Sequence, residues 1–458
     1  MKAYHLFRLA DAHFAYHIPA GRFIAISPEA YEFLRARQEG ESSAPDAQLR
    51  DDIAKLEEAG FFDEAEPPIL NDAEFDAEVA DKLAAPRNSV FLSVASGCNL
   101  ACRYCYCGTC RDKLPNQGLM PEETALRAVD ALFRDADPGK DVRITFFGGE
   151  PLLNKPAIRS VVKRSRELAK ARGTNAGFSI TTNATLIDDE TAALLTDFNF
   201  GLMVSLDGPK ELHDAQCPAR GGDGSFELAA KGIRTLMERR KQVTVRCTMA
   251  HPAPDAMRLI RFFQDFGFTR VVLGTVRNPT FPSECDFTKE DDEAFDRCME
   301  REILPWMIAE RKAGREPIYD PFDEIAAFQG EENHPEKVPA MRCGACHGSM
   351  AASPDGTLYP CHRFVGMDAW AIGTLDAGPD MEKCKAFWRS YRACMKGECA
   401  QCWAYRVCGG PCPWEIARAD GTFAMSGQLC AETLSWIKQG AYYLHKTGDA
   451  GQNKGDKQ

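Results

Sequence analysis

The chain has 458 residues, and 44% of them are hydrophobic, which is enough to build the cores of two or three domains. Its 55 basic and 67 acidic residues leave a formal net charge of −12, which disfavours nucleic acid and anionic membranes as partners. The sequence shows neither a secretion signal nor an apolar stretch long enough to span a membrane, so we expect a cytoplasmic protein. Because disulfides rarely persist in the cytoplasm, the 19 cysteines indicate metal ligation or redox chemistry.

Residues 1–65 are predicted to form a small α+β unit. Three short strand-like runs, "YHLFRLAD", "AHFAYHIP" and "GRFIAISP", are separated by Asp, Pro and Gly. Helical patterns follow at 28–38 and 47–60. Residues 66–88 are acidic and contain prolines, and we interpret them as a linker with some helix.

Residues 89–310 alternate between strand and helix patterns. The predicted strands are "SVFLSVA", "VRITFFG", "GFSITTN", "GLMVSLDG", "VTVRCTMA" and "TRVVLGTV", with helical stretches such as "SFELAAKGIRTLMERR" between them. Six strand–helix units in series predict a parallel sheet, either open or closed into a barrel. After it we expect a bridging segment at 311–341, a cysteine-rich region at 342–435, and a helix end with a disordered tail at 436–458.

A dense run of cysteines follows the first predicted strand of this sheet. Cys98, Cys102 and Cys105 have the spacing C-x3-C-x2-C. Three thiolates can hold three irons of a [4Fe–4S] cluster and leave the fourth iron open to a small ligand. Zinc is the alternative, because C-x2-C pairs are common zinc ligands, and the spacing alone leaves both metals open. Cys107 and Cys110 exceed this set, and we interpret them as bystanders.

Glycines and polar residues stand where the other predicted strands end. They are Gly148, Gly149 and Glu150 after the second strand, Asn183 after the third, Ser205 and Asp207 at the fourth, and Arg246 on the fifth. The carboxyl ends of parallel strands meet at one edge of a sheet, where ligands bind. A carboxylate suits an ammonium group, short polar side chains suit ribose hydroxyls, and an arginine suits a carboxylate. Together these residues predict a site for an amino-acid nucleoside.

These motifs resemble the radical S-adenosylmethionine superfamily over residues 89–310. The resemblance rests on C-x3-C-x2-C with Tyr104 before the third cysteine, and on "GGEP", "TTNATLID" and "VSLDGPKELHD". It implies a partial (β/α)6 barrel and a cluster whose open iron takes S-adenosylmethionine, which is then cleaved to a 5′-deoxyadenosyl radical. It also implies that Cys98, Cys102 and Cys105 hold this cluster. The implied S-adenosylmethionine contacts are Glu150 at the ammonium, Ser205 and Asp207 near the ribose, and Tyr104, Gly148, Gly149, Asn183 and Arg246 around them.

The C-terminal cysteines resemble those of the SPASM domain, which carries two auxiliary [4Fe–4S] clusters in peptide-modifying radical enzymes. Their order is Cys346-x9-Gly356-x4-Cys361, then Cys399-x2-Cys402-x5-Cys408-x3-Cys412, and finally Cys430. The resemblance implies one cluster on Cys361 and Cys412, and a second on Cys399, Cys402, Cys408 and Cys430. Cys343 fits the leading position as well as Cys346 does. Either both serve the first cluster, which we expect, or one serves and an iron stays open for substrate. The alternative is a pair of zinc ribbons.

The remaining cysteines lack partners at ligand spacing, and we interpret them as buried free thiols. They are Cys217, Cys247, Cys285, Cys298, Cys384 and Cys394. His362 follows Cys361 and is a candidate to lie near the substrate. Related sulfatase-maturing enzymes have an acidic residue there, so its absence counts against formylglycine formation.

We expect a radical S-adenosylmethionine and SPASM peptide maturase with three [4Fe–4S] clusters. Such an enzyme would abstract a hydrogen from a ribosomally made precursor peptide or small protein subunit and install a thioether or carbon–carbon crosslink. The alternatives are formylglycine formation, another single-residue oxidation or decarboxylation, and a non-enzymatic electron carrier with several clusters. The expected reductant is of the flavodoxin or ferredoxin type. Residues 1–65 would capture the precursor by adding it as a strand, or would merely cover the barrel.

Overall fold

A computed structural model describes residues 3–41, 47–58, 60–63, 68–106, 118–240, 242–280, 282–330 and 337–448. Cys107 and Cys110 therefore lie outside the described residues, and so does the predicted tail from 449 onwards. Within the described ranges, we find no helix whose length and apolar character would let it cross a membrane.

The N-terminal unit is a three-stranded antiparallel sheet followed by two helices. Strands β1 (Tyr4–Leu9), β2 (Ala12–His17) and β3 (Arg22–Ile26) pair in sequence order, and α1 (Pro28–Glu39) and α2 (Ala47–Glu58) follow. Ser27 begins α1 by accepting a hydrogen bond from the Ala30 N–H, and Gly40 ends it in the left-handed conformation. The helices cover one face of the sheet, around a core that contains Leu34 and Phe61.

The segment expected to be an acidic linker contains a packed helix, α3 (Asp72–Ala84). Asn71 and Glu74 form a reciprocal capping box at its start. Its buried face, which includes Phe75 and Val79, packs against the C-terminal helix Met381–Met395. The segment is therefore part of the C-terminal packing.

The central sheet confirms the expected α/β fold class, a partial (β/α)6 barrel. Its six parallel strands pair in sequence order: β4 (Ser89–Ala95), β5 (Val142–Gly148), β6 (Ala176–Thr182), β7 (Gly201–Ser205), β8 (Thr244–Met249) and β9 (Arg270–Thr275). The intervening helices are α4 (Glu122–Asp135), α5 (Lys155–Arg172), α6 (Asp189–Asp197), α7 (Lys210–Gln216), α8 (Phe226–Arg239) and α9 (Ala256–Phe266). Among the described residues β9 does not pair with β4, so the barrel is open. Alternate strand residues such as Leu92, Ile144 and Val245 are fully buried, which explains the apolar strand patterns.

The C-terminal region continues this sheet from the free edge of β4. After α10 (Lys289–Cys298), α11 (Leu304–Lys312) and α12 (Asp323–Gly330), the two-residue β10 (Ala351–Ala352) pairs in parallel with β4. Three more short strands extend it: β11 (Thr357–Tyr359), β12 (Gly373–Thr374) and β13 (Gly378–Pro379). Helices α13 (Met381–Met395), α14 (Tyr405–Cys408) and α15 (Gly427–Thr447) complete the region. The expected boundary at 435 falls inside α15, which also contacts β1 of the N-terminal unit.

Candidate active site

One cavity of about 520 Å³ lies at the carboxyl ends of the barrel strands. All the residues that the sequence predicts for the radical cluster and for S-adenosylmethionine line it, together with His362. These are Cys98, Cys102, Tyr104, Cys105, Gly148, Gly149, Glu150, Asn183, Ser205, Asp207 and Arg246. Arg363 and Trp414 of the C-terminal region also line it. The cavity therefore lies between the barrel and the cysteine-rich region.

The loop that carries the three barrel cysteines is braced by the segment 216–220 after α7. The Ala101 N–H donates to the Pro218 carbonyl at 2.8 Å, and Arg220 Nε donates to the Cys98 carbonyl at 2.6 Å. Burial raises the pKa of the Cys98 thiol to about 12, so iron would have to displace its proton. Three cysteines at the mouth of one cavity fit a cluster that is not saturated by protein ligands.

Cys217 lies beside this cysteine set, contrary to the expectation that it has no partner there. Its thiol is in hydrogen-bond contact with Cys102 and lies 3.2 Å from the Tyr104 hydroxyl. It donates to Asp207 Oδ2 at 3.2 Å. Cys217 is 112 residues after Cys105 in the sequence, and only the docking of the 216–220 segment brings them together.

Glu150 is buried at the end of β5, with three donors around its carboxylate. Oε1 accepts from the Leu152 N–H at 2.9 Å and from the Thr182 hydroxyl at 2.7 Å, and Oε2 accepts from the Asn183 N–H at 2.8 Å. Burial outweighs these bonds and raises the pKa of Glu150 to about 7. A cation in the cavity would stabilise the ionised form, so the site fits an ammonium group.

Both carboxylate oxygens of Asp207 accept hydrogen bonds from other groups of the protein. Its Oδ1 accepts from the Thr248 N–H at 2.9 Å, and its Oδ2 accepts from the Tyr104 hydroxyl at 2.7 Å. The Tyr104 bond ties the cysteine loop to the end of β7. Asp207 therefore orients Tyr104, and its predicted contact with ribose stays a prediction.

Arg246 lines the cavity. Gly274 on the neighbouring strand makes room for it, since a Cβ there would lie 2.7 Å from Arg246 Nη2. Burial lowers the pKa of Arg246, and the positive charge of Arg363 adds to the effect. Arg363 itself lies over the Trp414 ring at 4.0 Å and pairs with Glu415 at 3.4 Å. The geometry suits an anionic group of a ligand at Arg246.

His362 lies between two aromatic rings of the barrel. Its ring stacks on Phe91 with centroids 4.7 Å apart and lies 4.4 Å from Phe147. Burial lowers its pKa to about 3, and the charges of Arg363 and Arg246 add to this. Nδ1 is buried and has no hydrogen-bond partner among the described residues. A neutral imidazole thus lines the cavity at the position predicted to be near the substrate.

The first C-terminal cysteine set contains a fifth sulfur. Cys361 has its pKa raised to about 12 by burial, with smaller contributions from Cys412 and Cys343, so these three thiols are neighbours. Cys346 is also close to Cys343 and Cys361, and it is hydrogen bonded to Cys384 on α13. The sequence indicated no partner at ligand spacing for Cys384, because it is distant from Cys346 along the chain. Cys346 has a φ of 61°, a strained conformation for a non-glycine residue.

The second C-terminal set contains the four cysteines that the resemblance to the SPASM domain implies. Burial raises the pKa of Cys399 to about 12, and Cys408, Cys430 and Cys402 add to the effect. Cys408 and Cys430 are likewise influenced by Cys402. Four clustered thiols on α14, α15 and the turn before them fit a cluster saturated by protein sulfur.

The chain matches the radical SAM superfamily over residues 92–263, which span β4 to α9. The cysteine-type anaerobic sulfatase-maturating enzyme of Clostridium perfringens (strain 13) is 23% identical over 351 residues, covering 71% of this chain and 89% of that protein. The serine-type enzyme of Klebsiella aerogenes is 25% identical over 383 residues, covering 78% of this chain and 89% of that protein.

Two solved structures share the fold. Native anSMEcpe with bound AdoMet superposes with a TM-score of 0.65 at 19% identity, covering 79% of this chain and 99% of that chain. Streptococcus suis SuiB bound to precursor peptide SuiA superposes with a TM-score of 0.55 at 17% identity, covering 94% of this chain and 100% of that chain. The first of these structures carries bound AdoMet, and the second carries a bound precursor peptide.

Proposed function

Because the chain is a radical S-adenosylmethionine enzyme, we propose that it oxidises a residue of a peptide by two electrons. The observation that carries the proposal is the cavity of about 520 Å³, where barrel residues suited to S-adenosylmethionine face His362, Arg363 and Trp414. When bound, the cofactor supplies a 5′-deoxyadenosyl radical that removes a hydrogen atom from the substrate. A substrate entering beside His362 would meet that radical at the carboxyl ends of the strands.

Each residue has a proposed role in this reaction. Cys98, Cys102 and Cys105 hold the radical cluster, Glu150 holds the ammonium of S-adenosylmethionine, and Arg246 holds its carboxylate. Gly148, Gly149, Asn183, Ser205, Asp207 and Tyr104 line the same cavity and would surround the rest of S-adenosylmethionine. His362 stays neutral, because burial and the charges of Arg363 and Arg246 lower its pKa, and its Nδ1 can accept a hydrogen bond from the substrate.

The C-terminal cysteines are proposed to hold two auxiliary [4Fe–4S] clusters. Cys343, Cys346, Cys361 and Cys412 would form the first site, and Cys399, Cys402, Cys408 and Cys430 the second. A two-electron oxidation releases one electron more than hydrogen abstraction takes up, so these sites would receive it. A flavodoxin- or ferredoxin-type protein would reduce the radical cluster. Anaerobic protein should then carry iron and sulfide for three clusters, whereas a zinc-loaded, colourless protein would contradict this.

Two products are consistent with such an oxidation. The names of the curated relatives favour formylglycine formation, which is the alternative to the crosslink expected from the sequence. SuiB covers 94% of the chain and anSMEcpe 79%, and the difference of about 15% is close to the size of the N-terminal unit. SuiB is bound to a precursor peptide in its structure, so we propose that residues 1–65 take up a precursor.

Mass spectrometry separates the two products. The enzyme is incubated with S-adenosylmethionine and reductant, once with the Cp18Cys peptide that anSMEcpe binds and once with a short peptide encoded beside its own gene. A crosslink is a loss of two hydrogens that leaves fragmentation blocked between the joined residues. Formylglycine instead reacts with a hydrazide reagent. Absence of 5′-deoxyadenosine in every assay would contradict the proposal as a whole.

A further inference from the structure

Arg363 places a second guanidinium in the active-site cavity, on the wall that the C-terminal region contributes. It lies in the single 3-10 turn His362–Phe364, directly after Cys361, and it lines the cavity together with Arg246 of β8. S-adenosylmethionine has one carboxylate, which the proposed function assigns to Arg246. Its ammonium and sulfonium groups are both positive. The bound cofactor therefore brings no anion for Arg363.

The protein supplies Arg363 with only a partial counter-charge. Its Nη1 lies 3.4 Å from Glu415 Oε1, longer than the roughly 2.7–2.9 Å of a strong charge-assisted bond. A guanidinium carries five N–H donors, and the described residues offer this one no other side-chain acceptor. The side chain is 26% exposed. The two carboxylates that line the cavity, Glu150 and Asp207, are hydrogen bonded at the ends of the barrel strands.

Arg277 lines the same cavity and shows the contrast with a saturated arginine. Its Nη2 pairs with Asp292, and its Nε pairs with Glu432 at 2.8 Å. Two carboxylates therefore neutralise its charge. Arg363 has a single and longer contact, so it is the better placed of the two to bind an anionic ligand.

The surroundings of Arg363 in the cavity are aromatic. Its Cζ lies 4.0 Å from the centroid of the Trp414 ring, and its neighbour His362 packs on Phe91 and Phe147. All four of these rings line the cavity. Apolar walls strengthen the attraction between a guanidinium and an anion, and they can pack against the carbon atoms that carry the anion.

We propose that Arg363 binds a carboxylate of the peptide substrate, so that the residue to be oxidised is an acidic residue or lies beside one. This inference rests on the proposed function, which places a peptide in this cavity. Arginine pairs with a carboxylate through two parallel N–H···O bonds. A carboxylate is also the anion that an unmodified peptide offers. It belongs either to an aspartate or glutamate side chain or to the C-terminus.

The test measures binding of the short peptide encoded beside the gene to full-length, anaerobically reconstituted protein. S-adenosylmethionine is present and reductant is left out, so that no turnover occurs. Each acidic residue of the peptide is changed in turn to its amide, and a separate peptide has an amidated C-terminus. One of these changes should weaken binding to the wild type by about ten- to a hundredfold, the range for a hydrogen-bonded charge pair. The others should have little effect.

Three protein variants complete the test, each checked for iron content. Arg363→Gln should bind the unmodified peptide as weakly as the wild type binds the sensitive amide peptide, and should no longer distinguish the two peptides. Arg363→Lys should lie between, because an ammonium group cannot form the two parallel bonds. Glu415→Gln should bind the unmodified peptide more tightly than the wild type, since it removes the internal competitor. This variant and the amide peptides decide the question even where Arg363→Gln loses iron.

The outcomes separate this inference from the proposed function. Equal affinity of the wild type for all the peptides, or unchanged discrimination in Arg363→Gln, would overturn the carboxylate site. Arg363 would then serve the cysteines beside it instead, and the proposed function would stand as long as the peptide is oxidised. A protein that discriminates as expected but forms no 5′-deoxyadenosine with reductant would contradict the proposed function and keep the carboxylate site.

Discussion

In the barrel, strands of five to seven residues bury side chains such as Leu92 and Val245 completely, whereas the strands β10 to β13 are two or three residues long. The barrel has a repeating hydrogen-bonded sheet and an apolar core, and its three predicted ligands stand on one loop above it. The C-terminal region has turns, strands of two or three residues, helices of 4 to 21 residues and two groups of cysteines. We therefore expect the C-terminal region to depend more on what its sulfurs hold than the barrel does.

The barrel and the C-terminal region also differ in how many cysteine sulfurs lie together. Three cysteines leave a coordination position for a ligand, which suits a cluster that reacts with S-adenosylmethionine. The C-terminal sets have four or more sulfurs each, which suits clusters that are structural or that pass electrons. Four experiments can break or sharpen this comparison.

The largest effect is expected when one of the three barrel cysteines, Cys98, Cys102 and Cys105, is removed. Cys98→Ala removes one of only three ligands, so the radical cluster should be lost and no 5′-deoxyadenosine should form above background. Far-ultraviolet circular dichroism should stay close to that of the wild type, since the barrel core does not use this sulfur. Unfolding of the variant would show that the barrel, too, depends on its metal.

The next largest effect is expected when a cysteine of the second C-terminal set is removed. Cys430→Ala should lose iron from one cluster and abolish peptide product, while cleavage of S-adenosylmethionine remains measurable although reduced. Hydrogen exchange should rise in residues 399–430 and stay low in β4 to β9. Equal loss of protection in both regions would contradict the independence of the barrel core.

A smaller effect is expected to distinguish the role of Cys346 from that of Cys384. Cys346→Ala should lose the first auxiliary cluster, because this sulfur lies close to those of Cys343 and Cys361. Cys384→Ala should keep the iron and lose only the hydrogen bond to Cys346, at a cost in unfolding free energy of about 1–3 kcal/mol for a buried pair. Iron content and denaturant unfolding measure the two. The reverse result would make Cys384 the ligand.

The smallest effect is the pH dependence at Glu150. Its pKa in the folded protein is about 7, above the ordinary value of 4.5. Only the ionised carboxylate binds an ammonium group, so the affinity for S-adenosylmethionine should fall by about tenfold per pH unit below about 7. Without ligand, the folded state holds this proton more tightly than the unfolded state does, so stability should fall as the pH rises from 4.5 to about 7.

Calorimetric titrations over this pH range measure the affinity. Glu150→Gln is the matched variant: binding should be weaker at high pH and nearly independent of pH. A wild-type profile as flat as that of Glu150→Gln would remove the ammonium role from this residue.

Local patterns in the sequence predicted much of the fold and of the site. The six barrel strands lie where the apolar runs indicated, because a buried parallel strand leaves a continuous apolar signature. The strand-end residues and the three cysteines share one cavity, because the carboxyl ends of parallel strands meet at one edge. The helix α3 inside the expected linker was harder to predict, since its packing partner lies some 300 residues further along the chain.

The sequence by itself determined the periodicities, the order of the strands and the sulfur spacings, since these depend on neighbours in the chain. Only the tertiary structure decided which distant groups meet: Cys217 at Cys102, Cys384 at Cys346, and Tyr16 at Trp403. It also decided that Asp207 accepts a hydrogen bond from Tyr104 and that Arg246 lies against Gly274. Burial and hydrogen bonding depend on surfaces formed by segments that are far apart in sequence, and no local spacing encodes those surfaces.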